Sequence, residues 1–219
     1  MVAYTIDFRT THHRVRKTSE RYQTPGSAEE SSLSKLKNID VPVTYSAGVK
    51  KSAFVFVSQP TKLTAAQTVV RDWLFVQLEQ VGLVPRTVGV SDYAPKNPLQ
   101  EVCILAKHCS GGLVLGFEQL RIETGRSKPG TAQETAVSDR AQASPWNQLE
   151  AGILTAMRLP LLVVREPGID GGVFDPGASD HYINTIDSAQ FAGGGGDEAL
   201  GEALRTWAND VWAYYRNVW

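Results

Sequence analysis

Beyond Lys51 the chain alternates short, uninterrupted apolar runs with segments whose apolar residues recur every three or four positions. Strand-length runs followed by helix-period segments are the sequence form of a parallel sheet with crossover helices. Ala53-Phe54-Val55-Phe56-Val57 has no polar interruption, as expected of a strand covered on both faces, and it stops at Ser58-Gln59-Pro60. Leu63, Ala66, Val69, Val70, Trp73, Leu74 and Val81 then mark an amphipathic helix ending at Gly82, and Leu83 to Val90 reads as a second strand. Asn97-Pro98 supplies an N-cap and a first-turn proline, with Gln100 at the capping-box position. The helix they open carries Leu99, Val102, Cys103, Ala106 and Cys109 on one arc, so both cysteines read as small core residues rather than ligands. Gly111-Gly112 end that helix, Leu113-Val114-Leu115 form a third strand, and Gly116-Phe117-Glu118 leave it.

Ser144-Pro145 opens the next helix, which runs to about Arg158, and Pro160-Leu161-Leu162-Val163-Val164 is a fourth buried strand. A glycine-rich turn region spans Gly168 to Gly177, and Gly193 to Gly196 form a flexible break. Asp197 caps a last helix whose Leu200, Leu204, Trp207, Val211, Tyr214 or Tyr215, and Val218 make one apolar stripe. Two segments do not share this rhythm. Residues 1–45 crowd Arg9, Arg14, Arg16, Lys17 and Arg21 ahead of a serine-rich stretch and read as a polar extension, with a short edge strand at Tyr4, Ile6 and Phe8. Residues 119–143 are polar, have no clear period, and read as an inserted loop that gates a pocket or meets a regulatory partner.

Composition excludes several classes. With 22 Lys plus Arg against 23 Asp plus Glu, nothing points to a surface that seeks nucleic acid. Two cysteines six apart make neither a disulfide framework nor a zinc spacing, and Asp175, Asp180 and His181 are too loosely spaced to argue for a metal. No run of about 18 apolar residues suggests a membrane span, and the first residues lack the layout of a secretion signal, so a cytoplasmic location is expected. No Gly-x-Ser-x-Gly elbow, Walker loop or Gly-x-Gly-x-x-Gly follows the first strand.

The helix from Pro145 to Arg158 holds the most informative conflict. At about 100° per residue, Trp146, Leu149, Ile153, Leu154 and Met157 fall in one arc, with Asn147, Gln148, Thr155 and Arg158 opposite. Glu150 falls inside the apolar arc, which carries a carboxylate toward the protein interior. Such a group shifts its pKa or finds donors. In open parallel sheets ligands bind beyond the carboxyl ends of the strands, and Glu150, in the second turn of its helix, belongs near that edge. A desolvated glutamate there suits ribose hydroxyls or a positive anomeric carbon. The alternative is that Glu150 pairs with Arg165 or a backbone donor and only orients its helix.

Ala53-Phe54-Val55-Phe56-Val57-Ser58 resembles the first-strand box of Toll/interleukin receptor (TIR) domains, and Leu113-Val114-Leu115 followed by Ser144-Pro145-Trp146-Asn147-Gln148-Leu149-Glu150 resembles their third strand and Ser-x-Trp-x-x-x-Glu box. Leu149-Glu150-Ala151-Gly152 with Leu159-Pro160 is also similar to nucleoside 2-deoxyribosyltransferases. The resemblance covers about residues 50–217 and implies a flavodoxin-like three-layer α/β sandwich with a mainly parallel sheet of four to five strands, here in residues 46–219. It further implies an enzyme that cleaves the N-glycosidic bond of a nucleotide, NAD foremost and as substrate rather than cofactor, in bacterial immune signalling. Glu150 would then contact the ribose and stabilise or trap the oxocarbenium-like centre. Ser58, Gln59 and Asn147 would contact substrate, Gly116-Phe117 would let the backbone approach it closely, and Trp146 would wall the pocket or stack on a ring. Plain core packing remains open for Trp146, and loop capping for Ser58. A metal is not required. Two other functions stay open: a non-catalytic nucleotide-sensing or TIR-type assembly module, with a homo-oligomer or regulatory protein as partner, and base exchange between deoxynucleosides.

Overall fold

The computed structural model describes residues 52–88, 97–177, 182–194 and 197–218, all within the unit Ala47–Trp219. The extension at 1–45, the end of the expected second strand, the last glycines of the 193–196 break, and Asp180 and His181 lie outside them. In chain order the elements are β1 (Ala53–Ser58), α1 (Ala65–Gln80), β2 (Leu83–Arg86), α2 (Pro98–Lys107), β3 (Gly111–Gly116), β4 (Leu120–Ser127), β5 (Thr135–Gln142), α3 (Pro145–Ala156) and β6 (Leu161–Arg165). A short 3-10 turn (Gly172–Phe174), β7 (Tyr182–Thr185), α4 (Ser188–Gly194) and α5 (Glu198–Val218) complete them.

Five strands form one parallel sheet in the order β2-β1-β3-β6-β7, which is the flavodoxin-like order. Alternation along each strand sends side chains to two helical layers. Val55, Val57, Leu113, Leu115, Leu162 and Val164 pack with Val70, Leu74 and Leu78 of α1, Phe191 of α4, and Leu200, Leu204, Trp207 and Val211 of α5. Phe56 and Leu161 pack with Val102, Leu105 and Ala106 of α2 and Leu154 of α3, while Val114 and Val163 meet Ala151 of α3 and Phe174. The result is a helix–sheet–helix sandwich.

The helix starts follow their capping chemistry. Thr64 and Gln67 close a reciprocal capping box on α1, Asn97 Oδ1 accepts from the Gln100 N–H at 3.3 Å, Ser144 Oγ accepts from the Trp146 N–H at 3.2 Å, and Asp197 accepts from the Leu200 N–H at 3.0 Å. Gly111 and Gly112 do not break a helix as expected; they begin β3, and α2 ends at Lys107. A Cβ on Gly112 would press into the Leu161 and Leu154 side chains, so glycine lets α3 sit close to the sheet.

Residues 119–143 are a β-hairpin rather than a loop. β4 and β5 pair antiparallel, and the Gln119 N–H donates to Gln142 O at 2.8 Å at its neck. Both faces are mostly wet, so the polar alternation that marks a half-buried strand never develops. The base of the hairpin is joined to the domain by a bridge between Ala141 and Ile169 and by an ion pair between Arg140 and Asp170. No helix among the described residues is long and apolar enough to cross a membrane.

Candidate active site

In this strand order the chain leaves β1 toward β2 on one side and enters β3 on the other, which makes the carboxyl ends of β1 and β3 the switch point at which ligands bind in open α/β sheets. Ser58 is the last residue of β1, paired in register with Val114. It has the parity of Phe56, so its side chain points to the layer that holds α3. The buried residues of α3 are Asn147, Ala151 and Leu154, and Glu150 flanks that stripe. Trp146 and Leu149 lie outside it at 46% and 44% exposure. The expected apolar arc is therefore rotated: Asn147, placed on the wet side by hydropathy, is buried, and Trp146 is not core. Glu150 still turns inward, because it stands three residues from Asn147 on the same face.

Three polar side chains meet here. Asn147 Nδ2 donates to Ser58 Oγ at 2.8 Å, with both residues fully buried. The Ser58 hydroxyl is also the polar side chain that acts on the Glu150 carboxyl. Burial pushes the Glu150 carboxyl up from its ordinary 4.5 to about 7, and the Ser58 hydroxyl, by favouring the charged form, holds it from rising further. Among the described residues no cation pairs with Glu150. Arg165, the expected alternative partner, instead donates to the carbonyls of Ile169 at 2.7 Å and Phe174 at 2.6 Å and to Thr185 Oγ1 at 3.2 Å. Two buried oxygens beside the site, Gln59 Oε1 and Asn147 Oδ1, have no partner among the described residues. Acceptors of this kind suit a ligand bearing N–H or O–H groups.

Among the expected contacts, Ser58, Asn147 and Glu150 come together directly, and Gln59 follows Ser58 at the edge of β1. Gly116 ends β3, where a Cβ would overlap the Phe174 ring, so packing alone accounts for its glycine. Phe117 is fully buried on the α1 side, within the core around Leu115 and Val164. Trp146 lies on the outer face of α3.

Sequence reading missed Gln148, whose amide donates to Gly171 O at 2.8 Å and accepts from the Val173 N–H at 3.0 Å, fixing α3 to the 3-10 turn. It also missed a hollow of about 490 Å³ on the α1 side of the same strand edge, lined among others by Gln67, Glu118, Arg121, Glu166 and Ser188. There Glu166 Oε2 accepts from Gln67 Nε2 at 2.9 Å and from the Glu118 N–H at 2.6 Å. That hollow does not include Ser58, Asn147 or Glu150. Only the low hydropathy of Gln67 in a buried helix position could have signalled it. No group of His, Cys, Asp and Glu that could hold a metal ion occurs among the described residues.

No protein-family model matches the chain, and no curated protein matches it. Similar solved structures include the CMP N-glycosidase BcmB of Clostridium botulinum, at 12% identity over 64% of this chain and 94% of that one, with a TM-score of 0.39. The Flv1 flavodiiron core from Synechocystis is 8% identical over 77% of this chain and 37% of that one, with a TM-score of 0.39. A 3-dehydroquinate dehydratase-like protein from Bifidobacterium longum is 15% identical over 73% and 97%, with a TM-score of 0.35. At this level of similarity neither chemistry nor substrate passes from them to this chain.

Proposed function

We propose that the protein is an N-glycosidase that cleaves the bond between sugar and base in a nucleotide, with Glu150 as its catalytic carboxylate and NAD as the foremost substrate. The observation that carries this reading is the Glu150 side chain itself, turned inward on α3 beside the buried Ser58–Asn147 pair at the carboxyl edge of β1, with no cation paired to it among the described residues. A carboxylate so placed stabilises a developing oxocarbenium ion electrostatically or adds to the anomeric carbon. In either case the C1′–N bond breaks with its electron pair leaving on the base. From a pyridinium such as the nicotinamide of NAD, the base departs neutral and needs no proton. Water then supplies the hydroxyl at C1′ and releases one proton. Gln59 and Asn147 offer acceptors to the sugar or base, and bacterial immune signalling is the setting that the TIR resemblance implies.

Incubation of the purified protein with NAD, followed by chromatography of released nicotinamide, tests the reading. Turnover should be abolished in Glu150→Gln. It should rise with pH through a midpoint near 7, because the ionised carboxyl is the working form. Equal turnover by both proteins would refute the role of Glu150. Release from CMP but not from NAD would keep the reaction class and change the substrate. A second free base in the assay, converted to the swapped nucleoside, would identify base exchange.

A further inference from the structure

We infer that Asn147 is a positioning residue that acts on Glu150 through Ser58: its amide N–H occupies the Ser58 oxygen and leaves the single hydroxyl proton to point at the carboxylate. A serine hydroxyl has one proton to give and two lone pairs to offer. Ser58 and Asn147 are both almost wholly buried and 2.8 Å apart from Nδ2 to Oγ. Were the amide turned to present its oxygen, two acceptors would compete for one proton, and the stronger, charged one would leave the amide unsatisfied on both sides. The orientation found leaves Asn147 Oδ1 as the unpartnered atom, and a buried carbonyl-type oxygen is the less costly group to leave so. With Asn147 in place the hydroxyl has one useful rotamer. Without it the hydroxyl turns among several, and the carboxylate loses its donor for part of the time.

Other charges do not account for the environment of Glu150. On the elements packed against α3 and at their ends, the described ionisable groups are Glu101, Cys103, Lys107, His108 and Cys109 of α2 and the residues after it, Glu118 after β3, Arg165 and Glu166 at the end of β6, and Asp170 and Asp175 on either side of the 3-10 turn, with Arg158 following α3 itself. Glu118 pairs with Arg121, Arg165 is held by backbone carbonyls, and Asp175 accepts from the Gly171 N–H at 2.7 Å. The carboxyl responds to burial and to Ser58.

The inference rests on the reading of Glu150 as the reactive group only for its bearing on catalysis. It is tested without substrate, by following the Glu150 side-chain carbon in a ¹³C NMR titration of the full chain, with Glu150→Gln to assign the signal and thermal melting to confirm folding. In Ser58→Ala and in Asn147→Leu the midpoint should rise from about 7 by about one pH unit, because a donor to the charged form is lost. In the double variant it should rise no further than in Ser58→Ala alone. If leucine prevents folding, Asn147→Ala replaces it in both backgrounds. An unchanged midpoint on losing Asn147, or equal shifts with and without Ser58, would overturn the inference. Failure to cleave any nucleotide would leave these outcomes intact and would count against the proposed function alone.

Discussion

Glu150→Gln should stabilise the protein above pH 7 and leave it nearly unchanged in mild acid. The folded chain holds this carboxyl at about 7, whereas an unfolded chain holds it near 4.5. Between those values the folded state binds more protons, so the stability of the parent protein falls as pH rises through that window. Each pH unit of displacement corresponds to about 1.4 kcal/mol. Moving from 4.5 to about 7 therefore opposes folding by up to about 3 kcal/mol once the group is fully ionised. Glutamine keeps the shape and has no charge to desolvate. In urea unfolding, the variant and the parent should agree within error at pH 4.5 and diverge by about 2–3 kcal/mol at pH 8, with glutamine the more stable. In thermal unfolding the same difference is about 5–10 °C for a chain of this size. A difference that does not change between pH 4.5 and pH 8, or glutamine being the less stable at pH 8, would refute the claim that this carboxyl is buried without a counter-charge.

Two further outcomes follow from the packing. Gly116→Ala places a methyl group into the Phe174 ring and should cost about 1–3 kcal/mol in urea unfolding; an unchanged midpoint would mean that the ring yields freely. Excision of the β4–β5 hairpin at its Gln119–Gln142 neck should leave a cooperative unfolding transition, because its strands pair with each other and outside the five-stranded sheet. If the hairpin gates the crevice, nucleotide turnover changes in the same protein, and unchanged turnover would exclude that role.

The inner strands of the sheet were legible because they are almost wholly buried. Ala53–Val57 and Leu161–Val164 have no polar residue to obscure them, and the caps Asn97, Ser144 and Asp197 carry their side-chain acceptors in the sequence itself. β7 was not legible: Tyr182-Ile183-Asn184-Thr185 is an edge strand, partly wet, whose position is set by pairing with β6 rather than by hydropathy. The facing of α3 was misread for a related reason. Its inner stripe uses Asn147 and Ala151, a buried amide and a small residue suited to the close approach that Gly112 permits, while Trp146 and Leu149 remain outside. Hydropathy ranks those residues in the reverse order. The facing of Glu150 is nearly the same either way, because it lies where the expected arc meets the observed stripe.

The Ser58–Asn147 contact joins positions 89 apart in the chain. A contact of such long range exists only where β1 and α3 have been brought together, so it belongs to the tertiary fold rather than to any local segment. In a partly folded chain Glu150 is an ordinary solvated carboxylate, without the burial that raises its pKa. On the proposed reading, the reactive carboxylate would exist only in the completed fold, and a half-made copy would leave nucleotides untouched.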